Sequence, residues 1–106
     1  MQIVSLGKIT ATAGTPVQAV TASTLAHKII VEPLVGNSGK AYVGTSALSV
    51  STGAGLIKTF LPPAASGLND DWTLDAGRQG NPIDVSQFWF DVQTTGQGVT
   101  VSYVIG

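Results

Sequence analysis

In two stretches near the end of the chain, Gln87 to Gln93 and Val99 to Ile105, large apolar residues recur at every second position. In QFWFDVQ, Phe88, Phe90 and Val92 take one side, while Trp89, Asp91 and Gln93 take the other. After TTGQG, the run VTVSYVI puts Val99, Val101, Tyr103 and Ile105 on a single face. Successive side chains of a strand point to opposite faces, so a period of two dictates half-buried β-structure and not an amphipathic helix. Two such runs joined by a short glycine-containing connection predict a β-hairpin.

The rest of the chain follows the same grammar. HKIIVEPLV (His27 to Val35) is rich in β-branched residues and reads as a strand with Ile29, Val31 and Val35 inward. Pro33 has no N–H to give a ladder, which places it at a sheet edge or a bulge. KAYVGTS and ALSVST follow, and after GAG comes LIKTFL (Leu56 to Leu61), ended by Pro62 and Pro63. The longest irregular stretch, PPAASGLNDD, leads to a short strand WTLD (Trp72 to Asp75) and then the loop AGRQGNP. At the front, QIVSL and KITAT flank Gly7 as one bent strand or two, and PVQAVT follows the turn TAGTP. About eight short strands, with turn signals about every 8–12 residues, specify an all-β chain. The expected architecture is a single-domain antiparallel β-sandwich over residues 1–106, jelly-roll or immunoglobulin-like in strand order.

Composition narrows the function classes. Only 10% of the 106 residues are charged, against about 25% in an average domain. The polar surface must therefore come from Ser, Thr, Asn, Gln and backbone, and such a surface tolerates dense packing against other protein. The net charge is −1, and Lys8, Lys28, Lys40 and Lys58 are scattered. That gives no basic stripe for a nucleic-acid backbone. Without cysteine there is neither disulfide nor thiolate chemistry. No apolar run approaches the ~20 residues of a helical membrane span. The start MQIVSLGKIT lacks the basic and apolar regions of a signal peptide, so synthesis in a cytoplasm is expected.

Candidate chemistry fails on spacing. VGNSGKAYVGTS (Val35 to Ser46) has glycines and a lysine, as a phosphate loop does. A P-loop needs four residues between its glycines and a hydroxyl residue after the lysine. Here two residues separate Gly36 from Gly39, Ala41 follows Lys40, and no helix follows. GNSG reads instead as a tight turn, with Asn37 and Gly39 able to take positive φ, that pairs the strand ending at Val35 with the one beginning at Lys40. His27 is the only histidine and has no partners at a catalytic or metal-binding spacing. Asn69, Asp70, Asp71 and Asp75 form the one acidic cluster, but not with the spacing of a calcium loop, and these are also common turn residues. No catalytic residue, metal site or cofactor is expected.

The informative side chains are large and apolar. Trp89 lies opposite Phe88 and Phe90, so both faces of its strand carry aromatics. It is either half-buried under a loop or an anchor for a partner, since interfaces favour tryptophan. Trp72 borders the polar loops and has the same two options. Phe60 and Leu61, beside the proline pair, either pack inward or cap a subunit contact. With Arg78 in the loop after WTLD, these five residues are the interface candidates. An aromatic platform on a sandwich would also suit a carbohydrate-binding module.

Taken together, NSGKAYVGTS, STGAGLIKTFLPP and the closing FWFDVQTTGQGVTVSYVIG, in a charge-poor chain without cysteine, resemble the small β-sandwich head decoration (cement) proteins of tailed bacteriophages. The resemblance is one of composition and element order along most of the chain. It implies a non-enzymatic virion protein on the capsid exterior, often a trimer, bridging major capsid protein subunits. It implies no catalytic residues. A tail or head-fibre subunit is a related alternative.

Overall fold

The computed structural model describes residues 2–62, 71–77 and 80–105. Its strands are β1 (Gln2–Thr10), β2 (Val17–Gln18), β3 (Leu25–Ala26), β4 (Lys28–Pro33), β5 (Ala41–Ser49), β6 (Ala54–Phe60), β7 (Trp72–Asp75), β8 (Ile83–Asp84), β9 (Trp89–Val92) and β10 (Gly98–Ile105), with a 3-10 turn at Val85–Gln87. They form two antiparallel four-stranded sheets, ordered β1-β10-β4-β7 and β2-β9-β5-β6, and a small β3-β8 pair. The all-β sandwich expected from the period-two pattern is therefore present. Its core is the facing interior of the two sheets. Ile29, Val31, Val99, Val101 and Tyr103 come from the first, and Ala41, Val43, Phe60, Phe90 and Val92 from the second.

The strand pairing differs from the expected one in an instructive way. β9 and β10 do not form a hairpin, because they lie in different sheets. The segment 93–97 crosses from one layer to the other. Likewise 34–40 carries the chain from β4 across to β5, so the strands on either side of GNSG do not pair with each other. Alternation dictates which side of a strand is buried, but a partner beside it and a partner across the core satisfy that demand equally well. The hairpin that does form is β5-β6, where KAYVGTS and ALSVST merge into one strand broken by register shifts at Gly44. Val35, expected inward, is 81% exposed, because the chain has already left β4 at Pro33.

Three crossings, 11–16, 34–40 and 93–97, gather at one end of the sandwich and are laced together. Gln97 Oε1 accepts from both Ser38 N and Gly39 N at 3.0 Å, and its Nε2 donates to Ser38 Oγ at 2.8 Å. Gln93 Oε1 accepts from Lys40 N at 3.1 Å. Ala11 N donates to Gln97 O at 3.2 Å, and Ala11 O accepts from Gly96 N at 2.9 Å. Asn37, 1% exposed, donates through Nδ2 to Gly98 O at 2.8 Å and accepts through Oδ1 from Gly98 N at 3.2 Å. Its carboxamide thus extends the ladder past the end of β4. Neither Asn37 nor Gly39 takes positive φ. Gly39 is needed for room, since a Cβ there would stand 2.6 Å from Thr94 Oγ1.

Asp91 is the other buried polar residue, at 1% exposure. The alternation sends it outward, yet the crossing 11–16 folds over that face, and Asp91 Oδ1 accepts from Gly14 N at 3.1 Å and Val92 N at 2.7 Å. At the opposite end, Asp84 ties β8 to the chain before β3. It accepts from Ser23 Oγ at 2.7 Å, Thr24 N at 3.0 Å, Ser86 N at 3.0 Å and Ser86 Oγ at 2.7 Å. The Ser86 and Ser23 hydroxyls, with the Thr24 amide, hold its carboxyl far below the usual carboxylate range.

Among the described residues, each edge of the two four-stranded sheets carries a device against strand addition. β2 and β7 are short, at 2 and 4 residues. β1 is broken by a register shift between Ser5 and Gly7, where Gly7 has φ +70°, and it carries Lys8. β6 faces the irregularities of β5 and carries Lys58. Short, bulged and lysine-bearing edges are poor templates for further strands.

Candidate interaction surface

The five interface candidates separate cleanly. Phe60 is fully buried, with Ala41 as its partner across the β5-β6 ladder, so it packs inward and cannot touch another protein. Leu61, one residue later, is 48% exposed. Trp72 pairs with Val31 on the inner face of β7, and its ring meets Phe88 with centroids 5.7 Å apart and planes tilted by 59°. That tilted contact is a favoured aromatic geometry, and it makes Trp72 part of the core wall. Trp89 stands half-buried on the outer face of the second sheet, flanked across the ladders by Gly44 and Gln18. Arg78 lies outside the described residues, as do Asn69 and Asp70.

Of the remaining polar candidates, Asp75 and His27 lie within the described residues and differ in their hydrogen bonding. Asp75 Oδ1 accepts from Gly77 N at 2.8 Å, the turn role open to it from the sequence. Among the described residues no group of three or more His, Cys, Asp or Glu could hold a metal ion. His27 forms part of a hollow on the first sheet, and its Nδ1 is enclosed without a hydrogen-bond partner among the described residues.

What the molecule offers is surface. Large apolar side chains are exposed at Ile3, Leu25, Val35, Leu56, Ile57, Leu61 and Leu74. Two open hollows lie on the outer face of the β1-β10-β4-β7 sheet. One, of about 500 Å³, sits at the laced end among Lys8, Glu32, Thr100 and the 34–37 segment. The other, of about 450 Å³, lies at the opposite end among Ile3, Ile30, Val104, Lys28, His27 and Asp75. Sequence reading alone missed this face. Its residues alternate with core residues along β1, β4 and β10, and only the register shows which outward positions become neighbours. No helix among the described residues is long and apolar enough to cross a membrane.

Comparison with protein families, with characterised proteins and with solved structures finds no match. The fold and the surface define a class, a β-sandwich with exposed apolar side chains, among them Ile3, Leu56, Ile57 and Leu74 on its edge strands.

Proposed function

We propose that this chain is a non-enzymatic virion structural protein, a decoration protein that binds the outer face of a phage head at capsomer junctions and stabilises it. The observation that carries the reading is the surface: among the described residues seven large apolar side chains stand exposed and the edges of both four-stranded sheets are blunted, in a chain with 10% charged residues. Such a surface suits a subunit covered by other protein on several sides. The sequence resemblance points the same way. Internal pressure drives capsid subunits apart, and a clamp resists by burying area across their seams. Several copies held together add their modest contacts through effective concentration.

The partner in this reading is the major capsid protein, and the location is the capsid exterior. Quantitative mass spectrometry of purified virions tests it. The expected result is this chain at a copy number comparable to the major capsid protein, released when capsids are stripped of external proteins. A few copies per particle would move it to the tail or a head fibre, and none in mature particles would refute it. The half-exposed Trp89 is what favours the second reading, a carbohydrate-binding module; glycan binding abolished by Trp89→Ala would support that instead.

A further inference from the structure

The strand registers align three rows of outward side chains across the β1-β10-β4-β7 sheet. The central row is Ser5, Ser102, Ile30 and Thr73. The row toward the laced end is Lys8, Thr100 and Glu32, and the row toward the other end is Ile3, Val104, Lys28 and Asp75. Lys28 and Glu32 therefore stand two residues either side of Ile30 on β4, about 13 Å apart. None of Lys8, Lys28 and Glu32 makes an ion pair with another described residue.

We propose that this face binds a second copy of itself about a two-fold axis running along the central row. The axis reverses strand direction and keeps each strand over its own copy. Ile30 then meets Ile30 of the other molecule at the centre, and Lys28 meets Glu32 twice. The small side chains of Ser5 and Ser102 let the sheets approach to the ~10 Å of stacked sheets. Shape follows charge. The two most exposed large apolar side chains are Val35, at 81%, beside the hollow at the laced end, and Ile3, at 71%, beside the hollow at the other end. The same two-fold operation lays each hollow over the other, so Val35 comes to the His27 end of the partner's hollow, and Ile3 meets the stem of Lys8. A surface complementary to itself under one rotation is the requirement for an isologous contact. The molecule measures 37 × 28 × 18 Å, and its broad face has room for the ~800 Å² per partner of a standard interface.

This contact predicts pairs, where the resemblance implies trimers. It concerns the purified chain and needs no capsid, so it can fail while the decoration reading stands, and the reverse. Sedimentation equilibrium of the full chain gives the mass, with expected convergence on twice 10.8 kDa. Lys28→Glu alone and Glu32→Lys alone should each weaken the dimer about 10–100-fold, because two attractive contacts become two repulsive ones. The double variant should recover it, since the charges are exchanged in register. Thermal melts by circular dichroism confirm that each variant is folded. A chain that stays monomeric at every concentration, a trimer, or single variants without effect would overturn the proposal. So would recovery by Lys8→Glu with Glu32→Lys, which marks an axis along the strands.

Discussion

Asn37 offers the sharpest test of how the sandwich is closed. Its carboxamide is the last rung of a ladder for which β4 has no residue left, bonding both Gly98 N and Gly98 O. Gly98 O also accepts from Leu34 N at 3.0 Å, so that carbonyl keeps a partner when the side chain is cut back. The Gly98 N–H does not. Asn37→Ala leaves one buried donor unmet, worth about 1–3 kcal/mol, and removes a second hydrogen bond worth about 1 kcal/mol. A net loss of about 2–4 kcal/mol lowers Tm by roughly 10–30 °C in a domain of this size.

Asn37→Asp separates the hydrogen bonds from the shape. One carboxyl oxygen still accepts from Gly98 N, but the other faces the Gly98 carbonyl and bonds it only when protonated. The folded state therefore raises this carboxyl's pKa above its unfolded value of about 3.9. The sign follows: the variant approaches wild-type stability below about pH 4 and loses ground as pH rises through the folded value. Urea unfolding followed by tryptophan fluorescence, with each variant compared to wild type at about pH 3 and about pH 7, reads both effects. An Ala variant within about 0.5 kcal/mol of wild type, or an Asp deficit equal at both pH values, would refute this account of the ladder.

Two further perturbations probe other joints. The carboxyl of Asp84 has a depressed folded pKa, so its stabilisation is present above the unfolded value near pH 4 and lost as pH falls below it. Asp84→Asn should flatten the acid limb of a stability-against-pH curve, and a limb as steep as wild type would contradict the assigned hydrogen bonds. Gly98→Ala should be far more damaging than its size suggests. The new Cβ would collide with Ile9 O and stand 2.9 Å from Thr10 Cα, both backbone and unable to turn away. A loss of about 3 kcal/mol or more in urea titration is expected, in the range of severe core disruptions, and a soluble variant of wild-type stability would show that β1 is not seated there.

How far the sequence reveals this molecule depends on the range of the interaction that decides each feature. The faces of β4, β9 and β10 are legible because alternation is local: Ile29, Val31, Phe90, Val92, Val99, Val101 and Tyr103 are all buried as their positions require. At Pro33 only β10 pairs with β4 among the described residues, and the described β7 register ends at Val31. Pairing is not local. TTGQG and GNSG look like hairpin turns, yet each bridges the two layers, because Gln93, Gln97 and Asn37 bond loops distant in sequence. Asp91 shows the same limit. Its strand sends it outward, and only the fold brings Gly14 over it. Of the interface candidates, Phe60 and Trp72 are aromatic enough to suggest a partner and are claimed by the core instead.

The laced end and the exposed face are two sides of one problem. Three layer crossings at the same end remove the hairpins that would otherwise hold adjacent strands in register. Side-chain amides supply that register instead, and a carboxamide such as Asn37 or Gln97 can both donate and accept in place of backbone. Beyond the hydrogen-bonded carboxyls of Asp84 and Asp91, the charges on the β4 face take no described part in holding these joints. The few charges on the β4 face, Lys28 and Glu32, are left with no described ion partner within the chain. A surface that spends so little charge internally can place opposite charges symmetrically about Ile30 and its row. Such an arrangement contributes little to a lone monomer, where exposed charges are hydrated, and gains its meaning only when the same face meets it in reverse.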